Sequence, residues 1–207
     1  MKTNAQDIVS KSALTIRIYL ADGSVHSFAQ TDGAIVNKLW QRADLGRLFV
    51  SGRMIVGSEH SKAVFVSTEI VRVDFIDDSF QHWEFPGGYS DIVELSEDDF
   101  RKRAHLDQPA LMPKREHFTP AGDLLVSFAT IQLKGGHQLY VMVEIPVKLR
   151  AESQSFMQFM LSKAAIHIRL KAGGVGILNL ANLVAYAVYP GMAQIPNDAW
   201  LAEPIAT

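Results

Sequence analysis

The strongest constraint on this chain is an apolar rhythm that occurs twice, 113 positions apart. The segments VFVSTEIVRVDFI (64–76) and ILNLANLVAYAVY (177–189) share one succession of apolar positions. An earlier block agrees on the same offset: Ile18, Leu20 and Gly23 meet Ile131, Leu133 and Gly136. Two separated blocks with one offset indicate an ancient duplication, because a repeated unit leaves self-similarity at a fixed period. Coincidence between two β-rich halves is the alternative.

Each half of the chain predicts a hairpin, then a helix, then two or three further strands. In the first half, Asp22-Gly23 is a turn signal between two strands. Thr31 or Asp32 can cap the helix that follows, in which apolar residues recur at helical spacing. In the second half, the corresponding helix is predicted over residues 151–164.

The predicted fold class is α+β and mainly β, with two tandem small curved antiparallel sheets that each carry one helix. The first spans residues 13–76 and the second residues 123–192. Residues 77–122 between them contain several prolines and glycines, a composition typical of a connector. Within the connector, SEDDFRKRAHL (96–106) predicts a short helix, because Ser96 can cap it, acids fill its first turn and bases its last.

Several groups of residues carry a family resemblance. They are Asp22-Gly23, Arg47-Leu48-Phe49 and Val66 to Val73 in the first half, with Gly135-Gly136 and Leu178-Asn179 to Val184 in the second. On these positions the chain resembles an uncharacterised bacterial small-domain family, present as two diverged copies. Such domains are similar to small bent, barrel-like sheets of the Sm-like kind, although the helix lies at a different position here. The resemblance implies a fold and no known activity.

Composition and charge exclude several classes of protein. The 207 residues carry a formal net charge of -2, which gives no electrostatic case for a general binder of nucleic acid or anionic membranes. Because there is no cysteine, disulfide scaffolds, thiolate metal sites and Cys nucleophiles are excluded. The first residues lack the apolar core of a secretory signal, so the expected location is the cytoplasm.

One uncharged run, residues 172–197, is long enough to span a bilayer. Its glycines, Pro190 and two asparagines are more typical of consecutive strands and turns than of a spanning helix. We therefore predict no membrane association.

The sequence carries no complete motif for catalysis or metal binding. GRMIVGSEHSK (52–62) has the glycine spacing of a phosphate loop, but Ser58 stands where the lysine should be. GGVGILN (173–179) lacks the third glycine of a dinucleotide fingerprint, and a strand is predicted after it. None of the seven histidines has metal-ligand spacing to another. We expect no catalytic residue, metal or cofactor, and leave open a metal site built from distant histidines.

Repeated β-rich units without a catalytic motif predict a non-enzymatic binding or assembly module. Its partner would be another protein or a second copy of the chain. The alternative is an RNA-binding protein in the Sm-like manner, although the net charge disfavours nucleic acid. The residues that would meet phosphates in this alternative are Arg42, Arg47, Arg53 and Arg72.

The segment QHWEFPGGYSD (81–91) is a candidate recognition loop. His82 and Trp83 would supply its binding groups, because functional residues favour loops on rigid scaffolds. The alternative is that Trp83 is buried at the seam between the two domains, since large aromatic side chains in a connector usually need burial.

The two echoing strands differ in the residues that alternate with their apolar positions. Alternation along residues 70–76 predicts that Arg72 and Asp74 face water. The positions 113 later are Ala185 and Ala187, and Tyr189 follows on the same side. The opposite set, predicted to face inward, is Val184, Tyr186 and Val188.

A strand that is apolar on both sides is typically buried twice. We therefore predict that the face formed by Ala185 and Ala187 is covered, either by the other domain or by a second subunit in a two-fold homodimer.

Overall fold

The structure, a computed structural model, describes residues 14–42, 48–77, 92–108, 111, 116–119, 122–147, 159–189, 200 and 202. The strands in this part of the chain are β1 (Leu14–Leu20), β2 (Val25–Gln30), β3 (Arg53–Gly57), β4 (Lys62–Val66), β5 (Ile70–Ile76), β6 (Ile92–Leu95), β7 (Glu116–Thr119), β8 (Gly122–Leu133), β9 (Gln138–Val147), β10 (Ala165–Arg169), β11 (Val175–Asn179) and β12 (Leu183–Tyr189). The helices are α1 (Gly33–Arg42) and α2 (Glu97–Ala104), and short 3₁₀ turns cover Ser67–Glu69, Lys134–Gly136 and Leu180–Asn182.

Ten of these strands form one mixed sheet. Nine follow the order β12-β8-β9-β6-β10-β11-β5-β1-β2, and β7 pairs with β8 beside this path. Strands β3 and β4 form a separate two-stranded sheet. A mainly β fold is confirmed, but the prediction of two tandem small sheets is wrong. The halves are joined because β11 pairs with β5, and because β6 of the predicted connector lies between β9 and β10.

The strand pairing nevertheless repeats between the two halves. Strand β1 pairs with β2 and β5, and strand β8 pairs with β9 and β12. Adding 113 to both numbers of each β1–β2 pair gives a β8–β9 pair; Leu14↔Gln30, for example, becomes Ser127↔Val143. The same addition turns every β1–β5 pair into a β8–β12 pair, including the register shift near the end of the ladder. We call residues 14–76 the N-terminal unit and residues 127–189 the C-terminal unit.

The second hairpin of each unit also has a counterpart in the other unit. Strands β3 and β4 pair in the N-terminal unit as β10 and β11 pair in the C-terminal unit. The turn between the strands covers residues 58–61 in the first hairpin and 170–174 in the second, one residue longer. Strand β4 therefore corresponds to β11 at an offset of 113, and β3 to β10 at 112.

Side chains cap the two helices. Asp32 Oδ1 accepts hydrogen bonds from the backbone N–H groups of Ala34 at 2.8 Å and Ile35 at 3.3 Å, so Asp32 is the cap of α1. Helix α2 begins as its sequence predicts, because Ser96 Oγ accepts from the Asp99 N–H at 3.2 Å. Of the helix predicted over residues 151–164, the structure describes residues 159–164; residues 159–161 are helical, whereas residues 162–164 form a turn and bend.

The apolar residues form three clusters. The N-terminal core gathers β1, β5, α1 and the inner side of β3–β4. The C-terminal core gathers β8, β9, β10 and part of β11. A smaller cluster forms where Phe100 of α2 packs against Phe128, Tyr140 and Tyr189.

Strand β5 lies between the two larger cores and is buried on both faces. Val73 and Phe75 belong to the N-terminal core. Arg72 and Asp74 point the other way, and only 8% and 2% of their surfaces are exposed. The prediction that these two residues face water is wrong. Alternation along a strand separates two faces, but it does not tell which face another layer will cover.

No helix in the described ranges is long and apolar enough to cross a membrane. The described part of the uncharged run at 172–197 forms β11, a 3₁₀ turn and β12. These strands and turns are the structure predicted for that run.

Candidate functional site

The two units meet where β11 of the C-terminal unit pairs antiparallel with β5 of the N-terminal unit. The paired residues are Val175↔Phe75, Gly176↔Asp74, Ile177↔Val73 and Leu178↔Arg72. The main sheet therefore continues from one unit into the other, and a strand of one unit covers the sheet edge of its neighbour.

A buried ion cluster lies on one face of β5 at this junction. Arg72 donates from Nε to Asp74 Oδ1 at 2.6 Å and from Nη2 to Glu94 Oε1 at 2.8 Å. Tyr19 donates its hydroxyl to Asp74 Oδ2 at 2.9 Å, and its ring centroid lies 5.0 Å from the guanidinium carbon of Arg72. The cluster thereby connects β1, β5 and β6.

Burial and the charges within this cluster shift the pKa values of its members. Burial by itself lowers the pKa of Arg72, but the charges of Asp74 and Glu94 more than offset that effect and raise it. Burial raises the pKa of Asp74, and the adjacent guanidinium opposes the rise. Burial and the charge of Asp74 also raise the pKa of Tyr19. Removing one member of such a buried cluster strongly destabilises the fold, because it leaves a buried charge without its partner.

Two buried asparagines hold the same junction. Asn179 donates from Nδ2 to the carbonyl oxygen of Ile70 at 2.8 Å. Asn182 donates from Nδ2 to the carbonyl oxygens of Thr68 at 3.0 Å and Ile70 at 3.1 Å. The residues 113 positions earlier are Val66 and Glu69, neither of which carries an amide. The asparagine clamp, Asn179 and Asn182, therefore belongs to the junction and not to the repeated pattern.

The hairpin turns of the two units also touch. A Cβ atom at Gly135 would lie 2.8 Å from both the backbone nitrogen of Gly23 and the carbonyl oxygen of Leu20. Gly135 also has a φ of 76°, so this position favours glycine for two reasons. His137 Nε2 lies 3.0 Å from the Leu20 carbonyl oxygen, and its ring meets Tyr19 edge-on with the ring centroids 5.4 Å apart.

Strand β12 occupies in the C-terminal unit the place that β5 occupies in the N-terminal unit, but its surroundings are different. It ends the main sheet, and no described strand pairs with its outer edge. Val184 and Tyr186 are 57% and 42% exposed, so the prediction that they face inward is wrong. Ala185 is exposed and Ala187 is half-buried. The strand buried on both faces is β5, because the N-terminal core covers one face and the C-terminal core, with Tyr19 and Glu94, covers the other.

The β3–β4 hairpin turns a second apolar surface to solvent. Phe65 on its inner side is buried in the N-terminal core. On its outer side, Ile55, Val64 and Val66 are 57%, 48% and 52% exposed. The residue that corresponds to Val64 in the C-terminal unit is Ile177, which is completely buried in the N-terminal core. Equivalent hairpin surfaces are thus buried in one unit and exposed in the other.

Two clefts adjoin the N-terminal unit. One of about 250 Å³ lies between β3 and the N-terminal core, with apolar walls and Ser51 and Arg53 among its lining residues. The other, of about 290 Å³, is lined partly by Asn179 and Asn182, whose amides are already engaged at the junction. In the described ranges, no group of three or more His, Asp or Glu side chains is placed to hold a metal ion.

The structure describes the side chains of two of the four predicted arginines, Arg53 and Arg72. Arg53 lies exposed on β3, whereas Arg72 is buried in the ion cluster and cannot meet a phosphate in solvent. Arg42 ends α1, and its side chain is outside the described part of the structure. Arg47 also lies outside the described residues.

Three further predicted sites have different outcomes. His82 and Trp83 lie outside the described residues, so both the recognition loop and the burial of Trp83 stay predictions. Tyr189 packs edge-on against Phe100 with the ring centroids 6.0 Å apart, which accounts for its partial burial. Coverage of Ala185 and Ala187 by a second subunit stays a prediction.

Sequence reasoning missed the asparagine clamp and the exposed apolar residues. A signal for the clamp was present, because buried amides within an uncharged run need hydrogen-bond partners. A signal for the exposed surface was the flanking of Phe65 by Val64 and Val66, since neighbours on a strand must face the opposite way. No family model, curated protein sequence or solved structure matches this chain.

Proposed function

We propose that this protein is a non-enzymatic binding or assembly module that acts through its strand edges. The observation that carries the proposal is the pair of exposed apolar surfaces at β12 and at the β3–β4 hairpin. Val184 and Tyr186 lie on the first, and Ile55, Val64 and Val66 on the second. An open, apolar strand edge is a site for pairing with another chain unless it is blunted by charge, proline or a covering segment.

Strand addition is the binding mode that these surfaces support. An extended partner segment would hydrogen-bond along the outer edge of β12, where no described strand pairs, and pack its alternate side chains beside Val184 and Tyr186. The opposite end of the main sheet, β2, exposes His26 and Ser27 and is the more polar edge. The proposed binding edge is therefore β12 rather than β2.

Selection of displayed random peptides against the purified protein tests this proposal. We expect extended peptides whose affinity falls by about tenfold or more when Tyr186→Asp places a charge on the β12 surface. The matched control is Val25→Asp on β2, where an exposed valine lies outside both proposed surfaces. Selected peptides whose affinity is unchanged by both Tyr186→Asp and Val64→Asp would contradict the proposal.

RNA binding in the Sm-like manner is the alternative proposal. Burial removes Arg72 from its set of phosphate-binding residues, and the net charge of -2 gives no general attraction for RNA. Fluorescence anisotropy with a labelled single-stranded RNA, titrated with salt, separates the two proposals. The alternative requires affinity that falls steeply with salt and weakens in Arg53→Ala.

A further inference from the structure

We infer that the partner at these edges is a second copy of this chain, with β4 of one molecule pairing antiparallel with β12 of the next. This inference rests on the proposed function and names its partner. It follows from one comparison: the contact that joins the two units inside the chain uses the equivalents of two surfaces that the chain leaves exposed.

The internal junction gives the register of the intermolecular one. Strand β11 corresponds to β4, and β5 corresponds to β12, each at an offset of 113. Subtracting 113 from the β11 numbers and adding 113 to the β5 numbers converts the internal pairs into four intermolecular pairs. These pairs are Lys62↔Val188, Ala63↔Ala187, Val64↔Tyr186 and Phe65↔Ala185.

The side chains at these positions are compatible with that register. Val64 and Tyr186, which are 48% and 42% exposed, would become direct cross-strand neighbours, as Ile177 and Val73 are inside the chain. An aromatic side chain beside a β-branched one is a favourable cross-strand pair. Beside it, Phe65 would lie opposite Ala185, a small residue that leaves room for the larger one.

The ion cluster explains why alanines suit the open edge. At the internal junction, Arg72 and Asp74 are buried on the strand that pairs with β11, with Glu94 and Tyr19 as their partners. Their equivalents are Ala185 and Ala187, which a second copy could cover without burying a charge. In this arrangement, the subunit next to Ala185 and Ala187 is a second copy of the chain, and its β4 pairs with β12 in the register given above.

The symmetry of the contact is head to tail. Strands β4 and β12 are different surfaces of one molecule, so each chain would use β4 in its contact with one neighbour and β12 in its contact with another. Such heterologous contacts close into rings or extend as open chains, whereas the two-fold homodimer predicted from the sequence would pair one surface with itself.

Light scattering on edge variants tests the head-to-tail arrangement. The unaltered chain should gain mass with concentration between about 1 μM and about 1 mM, while Val64→Asp and Tyr186→Asp are each monomeric over that range. A mixture of the two variants should form a dimer and nothing larger, because each variant retains the edge that its partner lacks. Val25→Asp, the control, should associate as the unaltered chain does.

Disulfide trapping tests the register. The chain has no cysteine, so an introduced pair reports only the intended contact. Val64→Cys mixed with Tyr186→Cys should give a disulfide-linked dimer on mild oxidation, because directly opposed residues come close enough for the bond. Val64→Cys mixed with Ala187→Cys should crosslink at least about tenfold more slowly, because the neighbouring residue faces the other way.

Three results would overturn the inference. One is a chain that remains monomeric at every concentration, and another is an oligomer that neither edge variant disrupts. The third is an oligomer that only one of the two variants disrupts, since it would indicate a self-paired edge. Edge-dependent peptide binding without self-association would leave the proposed function standing while the inference fails.

Discussion

Arg72 and Asp74 lie two positions apart on β5 and are joined by a 2.6 Å hydrogen bond from Nε to Oδ1, with both residues almost completely buried. Glu94 accepts a second bond from the guanidinium, and Tyr19 donates to the carboxylate of Asp74. At the equivalent positions of β12 stand Ala185 and Ala187. Paired charge therefore occupies this strand position where another unit covers it, and alanine occupies it where the described residues leave it open.

The first prediction concerns removal of the central charge in the ion cluster. Arg72→Met should lower the free energy of unfolding by about 3–5 kcal/mol, because Asp74 and Glu94 lose the cation that compensates their burial. Urea denaturation measures the change. The exposed control Arg53→Met should stay within about 0.5 kcal/mol of the unaltered chain. A loss for Arg72→Met no larger than the control's would mean that the cluster is not structurally required.

The second prediction concerns the asparagine clamp. The carbonyl oxygen of Ile70 accepts from both Asn179 and Asn182, so either amide alone still satisfies it. Each single change to alanine should cost about 1–2 kcal/mol, and the double change should cost more than the sum, because only then is a buried acceptor left unpaired. A double-mutant cycle by urea denaturation gives the coupling. Simple additivity would show that the two amides act independently.

The sequence predicts local structure well where backbone chemistry decides it. Asp22-Gly23 and Gly135-Gly136 form turns with matching backbone bonds, from Leu20 N to Ser24 O at 2.9 Å and from Leu133 N to His137 O at 2.8 Å. The Ser96 cap and the acidic first turn place α2 correctly. In each case the signal lies within a few residues of the structure that it forms.

Long-range placement could not be predicted in the same way. The alternation around Arg72 shows that the strand has an apolar and a polar face. The same pattern would occur whether the polar face meets water or a second layer. That choice depends on Glu94 of β6 and on the C-terminal core, which lie further along the chain. Likewise, nothing local in residues 92–95 indicates that they enter the sheet between β9 and β10. The sequence therefore indicates that β5 and β12 correspond, but not that both faces of β5 are buried while Val184 and Tyr186 of β12 are exposed.

The third prediction concerns the turn before β11. Gly174 has a φ of 101°, and a Cβ atom there would collide with the carbonyl oxygen of Phe75 on β5. Gly174→Ala should therefore lower the free energy of unfolding by at least about 2 kcal/mol more than Gly136→Ala. Gly136 is the matched control because its φ of 77° is similarly strained for alanine but its Cβ would meet nothing within 4 Å. Equal losses in the two variants, measured by thermal or urea denaturation, would mean that the turn can move away from β5.

The last prediction is a pH dependence that originates at His167 on β10, directly opposite Ile177 of β11. Burial lowers the pKa of His167 below its ordinary value of 6.5, and the positive charge of Lys163 adds to that effect. The unfolded chain therefore takes up this proton at a higher pH than the folded chain does. The contribution of neutral His167 to stability should be complete above about pH 7.5 and should decline as the pH falls through 6.5, until the folded-state pKa has been passed.

The measurement that isolates this contribution compares the unaltered chain with His167→Gln by urea denaturation at intervals between about pH 7.5 and about pH 5. Other groups titrate in both chains, so only the difference between the two free energies of unfolding reports on His167. That difference should shift against the unaltered chain as the pH falls, with a slope of at most about 1.4 kcal/mol per pH unit, the limit for one proton. Parallel curves would mean that the imidazole titrates alike in the folded and unfolded chains, and the partial burial of His167 on β10 would then have no electrostatic consequence.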